Sequence, residues 1–493
     1  MKHIGDYNFW FLTGSQDLYG QETLNEVSKH SKIMVNELND SNDLPCKLIY
    51  KDTLLTASSI EKTIKEANLD ETCVGIICWM HTFSPAKMWI NGLNALSKPM
   101  LQINTQFNKS LPYNTIDMDF MNLNQSAHGD REFGYITARM DINRNVIVGY
   151  WKSKTFKNRM SKWMRAAAAT TSGKNLTVVR FGDNMRDVAV TCGDKVEAYI
   201  KLGWNIPYYG IGDLVEEINK VKDSEIDLKM EEYQAEYTIV EPTKYNLEHI
   251  REQAKIEIAL EKFLIERNAE AFTTNFQDLH GLKQLPGLAC QHLMAKGYGF
   301  AAEGDWKTAA MVRTIKLMGE NLEGGCSFLE DYTYNLEENN MFNLSSHMLE
   351  ICPSIAKGKP TIEVHPLSIG DKEDPARLVF DSKEGNGFTV SIIDLGNRMR
   401  IVANKVDVIN SEKSFKQLPV ARVLLAPKPN FITASECWIL SGGGHHNTFT
   451  TQIDLETLEF YSEMVKIELL KIDEETTLSS FRNQDRWNRA YYG

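Results

Sequence analysis

Through the first two-thirds of the chain, short apolar runs alternate with longer segments whose apolar positions recur every three or four residues. That pattern marks strands and amphipathic helices following one another. Residues 9–12, 47–50, 74–80 and 100–103 have strand character, and 74–80 is a continuous apolar run suited to a strand buried on both faces. Between them, 23–38 places Leu24, Val27, Met34 and Leu38 on one side of a helix. Residues 58–67 form a second helix, and Pro85 opens a third that runs to Leu96. Residues 135–171 have a mainly helical pattern and end at Ser172-Gly173, a C-cap and a natural boundary. Such alternation predicts a parallel sheet covered on both faces.

A second unit of the same kind follows. Its predicted strands are 176–180, 271–275 and 297–301, and its predicted helices are 188–202, 244–268, one opening at Pro286, and 306–318. Residues 212–236 are polar and acidic and predict exposed helix and loop. The pattern then changes. Short β-rich runs at 326–329, 361–364, 378–380, 389–393, 400–408 and 421–425 are separated by turn signals such as Glu384-Gly385-Asn386-Gly387. They predict an antiparallel barrel or sandwich, followed by helical segments at 455–465 and 477–482. The expected fold is α/β: two doubly wound, Rossmann-like parallel-sheet domains over 1–172 and 173–324, then a β-rich, barrel-like domain with a helical tail over 325–493.

Composition narrows the classes of function. The chain has 493 residues, is 42% hydrophobic and 24% charged, and carries a net charge of −12. An acidic surface disfavours nucleic acid as the main partner. No apolar run approaches the length of a membrane span, and Met1 to Asp6 leads into no signal-peptide core, so a cytoplasmic location is expected. The eight cysteines are scattered without a Cys-x-x-Cys, which fits free thiols in a reducing compartment.

Candidate chemistry gathers where predicted strands end. Glu303 lies between a strand and a helix, where a carboxylate could hold a cation or a substrate hydroxyl; it could equally be a helix cap, for which Asp305 is better placed. Gly14-Ser15-Gln16-Asp17-Leu18-Tyr19, Met80-His81-Thr82-Phe83-Ser84 and Asn124-Gln125-Ser126-Ala127-His128-Gly129-Asp130 are polar or aromatic turns that suit substrate contact or plain turn chemistry. Gly297-x-Gly299-x-x-Ala302 matches a dinucleotide fingerprint as a string, but the glycines precede the strand end instead of opening a helix. No Walker A, His-Glu-x-x-His or Gly-x-Ser-x-Gly motif is present. Glu303, Glu330 after 326–329, His347, and His445-His446 behind Gly442-Gly443-Gly444 form a possible ligand set. Two carboxylates and two imidazoles suit a divalent first-row cation such as Mn²⁺; a solvated turn and a loop are the alternative.

Longer motifs carry a resemblance. Glu303-Gly304-Asp305-Trp306-Lys307-Thr308-Ala309-Ala310, Phe328-Leu329-Glu330-Asp331-Tyr332-Thr333-Tyr334, Ser346-His347-Met348-Leu349-Glu350 and Gly443-Gly444-His445-His446 resemble the bacterial L-arabinose isomerases. So do Thr13-Gly14-Ser15-Gln16-Asp17-Leu18-Tyr19-Gly20, Ala127-His128-Gly129-Asp130-Arg131-Glu132, Arg180-Phe181-Gly182-Asp183-Asn184-Met185-Arg186 and Asp278-Leu279-His280-Gly281. The resemblance implies conversion of L-arabinose to L-ribulose by a homohexamer whose active sites are completed by a neighbouring subunit. It implies one Mn²⁺ per subunit, replaceable by Co²⁺, on Glu303, Glu330, His347 and His446, with His445 the weaker candidate. Glu303 and Glu330 would also be the catalytic acid and base. The implied substrate-binding residues are Gln16, Leu18, Tyr19, Phe83, Gln125, His128, Met185 and Phe276. Rival expectations are an L-fucose-type isomerase, a metal-dependent hydrolase, and a non-catalytic sugar-binding protein.

Overall fold

The structure is a computed structural model and describes residues 1–367, 371–410 and 415–492. The chain forms two compact units: residues 2–172 with 456–465, and Met1 with 173–455 and 466–493.

The first unit is built on five parallel strands: β1 (Asn8–Thr13), β2 (Lys47–Tyr50), β3 (Cys73–Trp79), β4 (Met100–Asn104) and β5 (Asn145–Val148). Their order is β2-β1-β3-β4-β5, a doubly wound sheet whose strand order reverses between β1 and β3. Alternate residues of β1 serve opposite faces. Trp10 and Leu12 pack with Ile60, Ile64, Trp89 and Phe133 on one side, while Phe9 meets the Trp163 ring at 5.5 Å on the other. Helix Leu455–Val465 returns to this unit late in the chain: Glu456 accepts hydrogen bonds from Arg159 at 2.7 Å and from Lys162 at 2.9 Å.

Several boundaries differ from expectation. The stretch 135–171 is not mainly one helix, because β5 interrupts helices Ser126–Arg139 and Lys154–Gly173. Asn145 and Ile147 are buried while Val146 and Val148 are exposed, the period-two signature of an edge strand in a run too short to stand out between helices. Pro85 caps a 3-10 turn, Ala86–Trp89, that precedes helix Ile90–Ala95. Ser126 opens a helix, so His128 sits in its first turn and not in a loop.

The second unit contains β6 (Val178–Phe181), β7 (Tyr208–Tyr209), β8 (Thr238–Ile239), β9 (Ala271–Thr274) and β10 (Gly299–Ala301), then β11 (Cys326–Asn335), β12 (Phe342–Ser346), β13 (Thr361–Val364), β14 (Ala376–Val379), β15 (Gly385–Asp394), β16 (Met399–Ile409), β17 (Arg422–Pro427), β18 (His446–Thr450) and β19 (Glu468–Ile472). A second parallel sheet has the order β10-β9-β6-β7 and reverses between β6 and β9. A small sheet, β14-β13-β8, lies alongside. The strands β15-β18-β11-β12-β17-β16 form a ring that closes through the β15–β16 pairing, with β19 added to β16. The barrel alternative of the sequence pattern is therefore the observed one. Helix Phe431–Ser441, absent from that pattern, contributes Ala434 and Cys437 to a core with Val402, Leu470 and Phe481. Residues 385–387 continue β15 instead of forming a turn, and 188–202 divides into a 3-10 turn, Ala189–Thr191, and helix Lys195–Leu202 capped by Asp194.

Helix Trp306–Gly319 is the axis of this unit. Every residue in it except Lys316 is buried. It lies on β10 so closely that a Cβ on Gly299 would stand 2.2 Å from the Ala309 carbonyl oxygen. A residue larger than glycine at 299 would push backbone apart in a packed core. We predict that Gly299→Ala lowers unfolding free energy by about 1–3 kcal/mol in urea melts. Gly212→Ala, in helix Ile211–Lys220 with nothing within 4 Å of the new methyl, should instead gain about 0.4–1 kcal/mol. Equal effects at the two positions would contradict the close-packing argument.

Candidate metal centre and sugar-contact strip

Glu303 lies in the connection from β10 to helix Trp306–Gly319, and its backbone is left-handed, with φ 61°. Gly304 follows at φ 79°; a Cβ there would meet Asn184 Cα at 2.6 Å. The connection is stitched to neighbouring strand ends: Met185 N donates to Glu303 O at 3.0 Å, and Gly304 N donates to Thr274 O at 3.0 Å. A non-glycine residue held at positive φ by surrounding contacts is a form of strain concentrated at functional sites.

Asp305 is the N-cap, as the sequence suggested. Its carboxylate accepts from Thr308 N at 3.2 Å and from Thr308 Oγ1 at 2.7 Å. The same group lies 3.1 Å from His446 Nδ1 and 3.3 Å from Lys307 Nζ. Burial opposes its charge, but Lys307 and His446 hold the carboxyl well below the usual carboxylate range. Lys307 in turn donates to the carbonyls of Val190, Thr191 and Cys192 at 2.7–3.0 Å.

The remaining candidate ligands come from two neighbouring barrel strands, β11 and β18, and from the residue that follows a third, β12. Glu330 is paired with His446 across β11–β18 and with Ser346 across β11–β12, which places His347 beside it. Glu330 therefore sits within a ten-residue strand and does not end one, and His446 begins β18 instead of lying in a loop. His347 Nε2 is 3.6 Å from Glu330 Oε2, and His446 Nε2 is 3.6 Å from Glu303 Oε2. Both Nε2 atoms are buried without a hydrogen-bond partner. Both Nδ1 atoms are held by carboxylates, His446 by Asp305 and His347 by Glu350. A carboxylate at Nδ1 fixes that nitrogen as the proton carrier and leaves the Nε2 lone pair free, the arrangement typical of metal-binding histidines. Two orphaned imidazole nitrogens facing two carboxylates thus fit a divalent first-row cation.

The surrounding carboxylates give the site a negative field that favours a positive charge. Burial raises the Glu330 pKa against the opposing influence of His347 and His446. Burial would lower the His347 pKa, yet Glu350, Glu330 and Glu303 leave it raised. Phe328 packs on both imidazoles at 5.2 Å, and the Phe276 ring stacks on His347 at 5.9 Å. His445 offers a competing set, because its donor atoms and those of Glu303 and His446 fall within 4.8 Å of one another. His445 is 40% exposed and 3.9 Å from Glu330, whereas His347 and His446 are buried and carboxylate-anchored. The anchored pair is the better-prepared one.

The predicted sugar-binding residues fall into two groups, one in each compact unit. Met185 and Phe276 follow β6 and β9, at the strand-order reversal of the second sheet. Gln16, Leu18, Tyr19, Phe83, Gln125 and His128 follow β1, β3 and β4, at the reversal of the first. Gln125 Nε2 donates to Tyr19 Oη at 3.1 Å, His128 Nδ1 lies 3.0 Å from Gln125 Oε1, and the Phe83 and His128 rings are 4.5 Å apart. Gln16 caps the 3-10 turn Asp17–Tyr19, and Leu18 is 83% exposed. His81 is fully buried, stacked on Trp79 and bonded to His30 Nδ1 at 2.9 Å, so it belongs to the core beneath this strip. Below His128 on the same helix, Asp130 receives Asn104 Nδ2 at 2.9 Å and Gln102 Nε2 at 3.3 Å, and burial pushes its pKa up to about 7. Sequence reasoning missed Glu350 as the anchor of His347, although their three-residue separation was visible within one motif.

Comparison with known proteins covers the whole chain. Family models for the L-arabinose isomerase N-terminal, central and C-terminal domains match residues 3–175, 177–321 and 325–468. An L-arabinose isomerase of Thermotoga petrophila is 54% identical over 493 residues, covering 100% of this chain and 99% of the relative. Those of Geobacillus stearothermophilus and Anoxybacillus flavithermus are each 52% identical with the same coverage.

Two predictions follow from these geometries. Asp305→Ala leaves buried Lys307 short of its counter-charge and should cost about 3–5 kcal/mol in urea melts; Asp305→Asn should recover the capping share of about 1 kcal/mol. A loss below about 1 kcal/mol for the alanine variant would contradict the assigned role. Asp130 has a folded pKa above its ordinary value, so the fold favours its protonated form. Its contribution is full below the ordinary carboxylate range and lost as pH rises through about 7. Relative to wild type, Asp130→Asn should therefore gain stability between about pH 4 and about pH 8. A difference that stays flat with pH would count against it.

Proposed function

We propose a metal-assisted proton-transfer mechanism for this chain, which belongs to the L-arabinose isomerase family and is an aldose–ketose isomerase. Its inferred reaction is the interconversion of L-arabinose and L-ribulose. An aldose and its ketose differ by one hydrogen moved between C1 and C2 and by the placement of the hydroxyl protons. The C2 hydrogen is not acidic, so the adjacent oxygens must be polarised.

Glu303, Glu330, His347 and His446 would hold one divalent cation, taken to be Mn²⁺ with Co²⁺ as a substitute. When bound, the cation supplies Lewis-acid polarisation of the two substrate oxygens. Glu303 and Glu330 would take the proton from O2 and return one at O1 while the C2 hydrogen passes to C1, either directly as a hydride or as a proton by way of an enediol, a general acid–base contribution of about 10²–10⁴-fold. Burial holds the Glu330 pKa above the ordinary carboxylate value, which favours its taking up a proton. Asp305 and Glu350 keep the imidazoles in the tautomer that leaves Nε2 free, and Phe276 and Phe328 shield them from water.

Met185 and Phe276 would line the same pocket. Gln16, Leu18, Tyr19, Phe83, Gln125 and His128 form a strip suited to sugar hydroxyls and to the apolar face of a sugar; it is assigned to the pocket of a neighbouring subunit in a homohexamer. The chain is taken to act in the cytoplasm; among the described residues, no helix is long and apolar enough to cross a membrane.

The observation that carries this reading is the pair of buried, unpartnered Nε2 atoms facing Glu330 and Glu303. We predict that chelation abolishes the arabinose-to-ribulose assay and that added Mn²⁺ restores it. Glu303→Gln should stay folded and lose at least about 10²-fold in turnover. Full activity of dialysed, metal-free protein would refute the proposal.

A further inference from the structure

Glu330 and His446 lie on adjacent strands and His347 directly follows β12, so their mutual spacing depends on strand register. On β11–β12 that register is irregular beside the site. Asp331 pairs with Ser345, but the next pair is Thr333 with Leu344, so Tyr332 is an extra residue. A bulge redirects side chains and leaves the ladder locally weaker. Backbone pairing alone therefore holds this point less firmly than a regular ladder would.

The residue after Glu330 faces the other way. Asp331 lies against the barrel bore, lining a small cavity with Asn343, Thr389, Asn404, Leu425 and Trp438. Its Oδ1 accepts from Ser345 Oγ at 2.7 Å. Asp331 N donates to His445 O at 3.1 Å. Ser345 is two residues before His347, and His445 is one before His446. Asp331 thus ties β11 to β12 through its carboxylate and to the residue before β18 through its N–H, beside Glu330, His347 and His446.

We infer that Asp331 is a positioning residue for the metal centre: its hydrogen bonds to the Ser345 hydroxyl and the His445 carbonyl fix the spacing of Glu330, His347 and His446. The inference rests on the metal reading proposed above. It differs from the roles of Asp305 and Glu350, which orient single rings, because Asp331 sets the relation between strands.

The test is Mn²⁺ titration calorimetry on full-length Asp331→Ala, Ser345→Ala, Asp331→Asn and Glu330→Gln, each shown to be folded by circular dichroism. Outer partners of a metal site are worth about 10–100-fold in affinity. Asp331→Ala should weaken Mn²⁺ binding by about that factor and Ser345→Ala by about tenfold. Asp331→Asn, which still accepts the Ser345 hydroxyl, should recover most of the affinity. A purely structural role would lower the melting temperature of the metal-free protein and leave the Mn²⁺ affinity of the folded protein unchanged. Wild-type affinity in folded Asp331→Ala and Ser345→Ala overturns the positioning role alone. Wild-type affinity in Glu330→Gln overturns the metal reading and this inference with it.

Discussion

The second unit depends on one buried carboxylate. Asp305 starts helix Trp306–Gly319, balances Lys307, and holds the ring of His446 from the barrel. Through Lys307 it also gathers the carbonyls of residues 190–192 in the connection after β6. An isolated charge here would be very unfavourable. It is tolerated because a cation and several donors surround it. The parallel sheet, the central helix and the barrel are therefore joined at a polar contact that needs correct geometry, and that contact lies next to Glu303. Fold stability and site geometry share the same atoms.

The imidazoles illustrate how the protein prepares chemistry before any ligand arrives. Each has a carboxylate at Nδ1 and an empty-handed Nε2. Leaving two buried nitrogens without partners costs free energy in the isolated chain. The cost makes sense where a bound group satisfies them. The left-handed backbone of Glu303 is a second local expense at the same place, and Gly304 beside it permits the close approach of Asn184.

Much of this was legible in the sequence because the first two-thirds obey simple periodicities. The runs at 9–12, 74–80 and 271–275 became central strands, and Glu303 and Asp305 occupy the strand-to-helix connection expected of them. The barrel was legible as a class but not strand by strand. β12 and β18 are rich in Ser, Thr, Asn and His, because they line a polar site and a partly polar bore, so they lack the apolar signal of a strand. For the same reason Glu330 was placed at a strand end when it is mid-strand: Asp331, Tyr332 and Thr333 follow it without an apolar alternation. β5 was hidden between two helices, and the return of helix Leu455–Val465 to the first unit is a long-range contact that no local pattern encodes. Strand ends alone already offered Glu303, Glu330, His347 and the His445-His446 pair as candidate ligands; the resemblance singled out His446 from that pair.

The two strand-order reversals, one in each unit, each gather sugar-contact candidates at the carboxyl ends of parallel strands. The proposed metal site lies in the second unit alone, where Glu303, Glu330, His347 and His446 would share one cation. Manganese anomalous scattering from crystals of the loaded protein tests it most directly. A single peak bonded to Nε2 of His347, Nε2 of His446 and both carboxylates is expected. A peak coordinated by His445 in place of His347, or one lying away from Glu303 and Glu330, would contradict it.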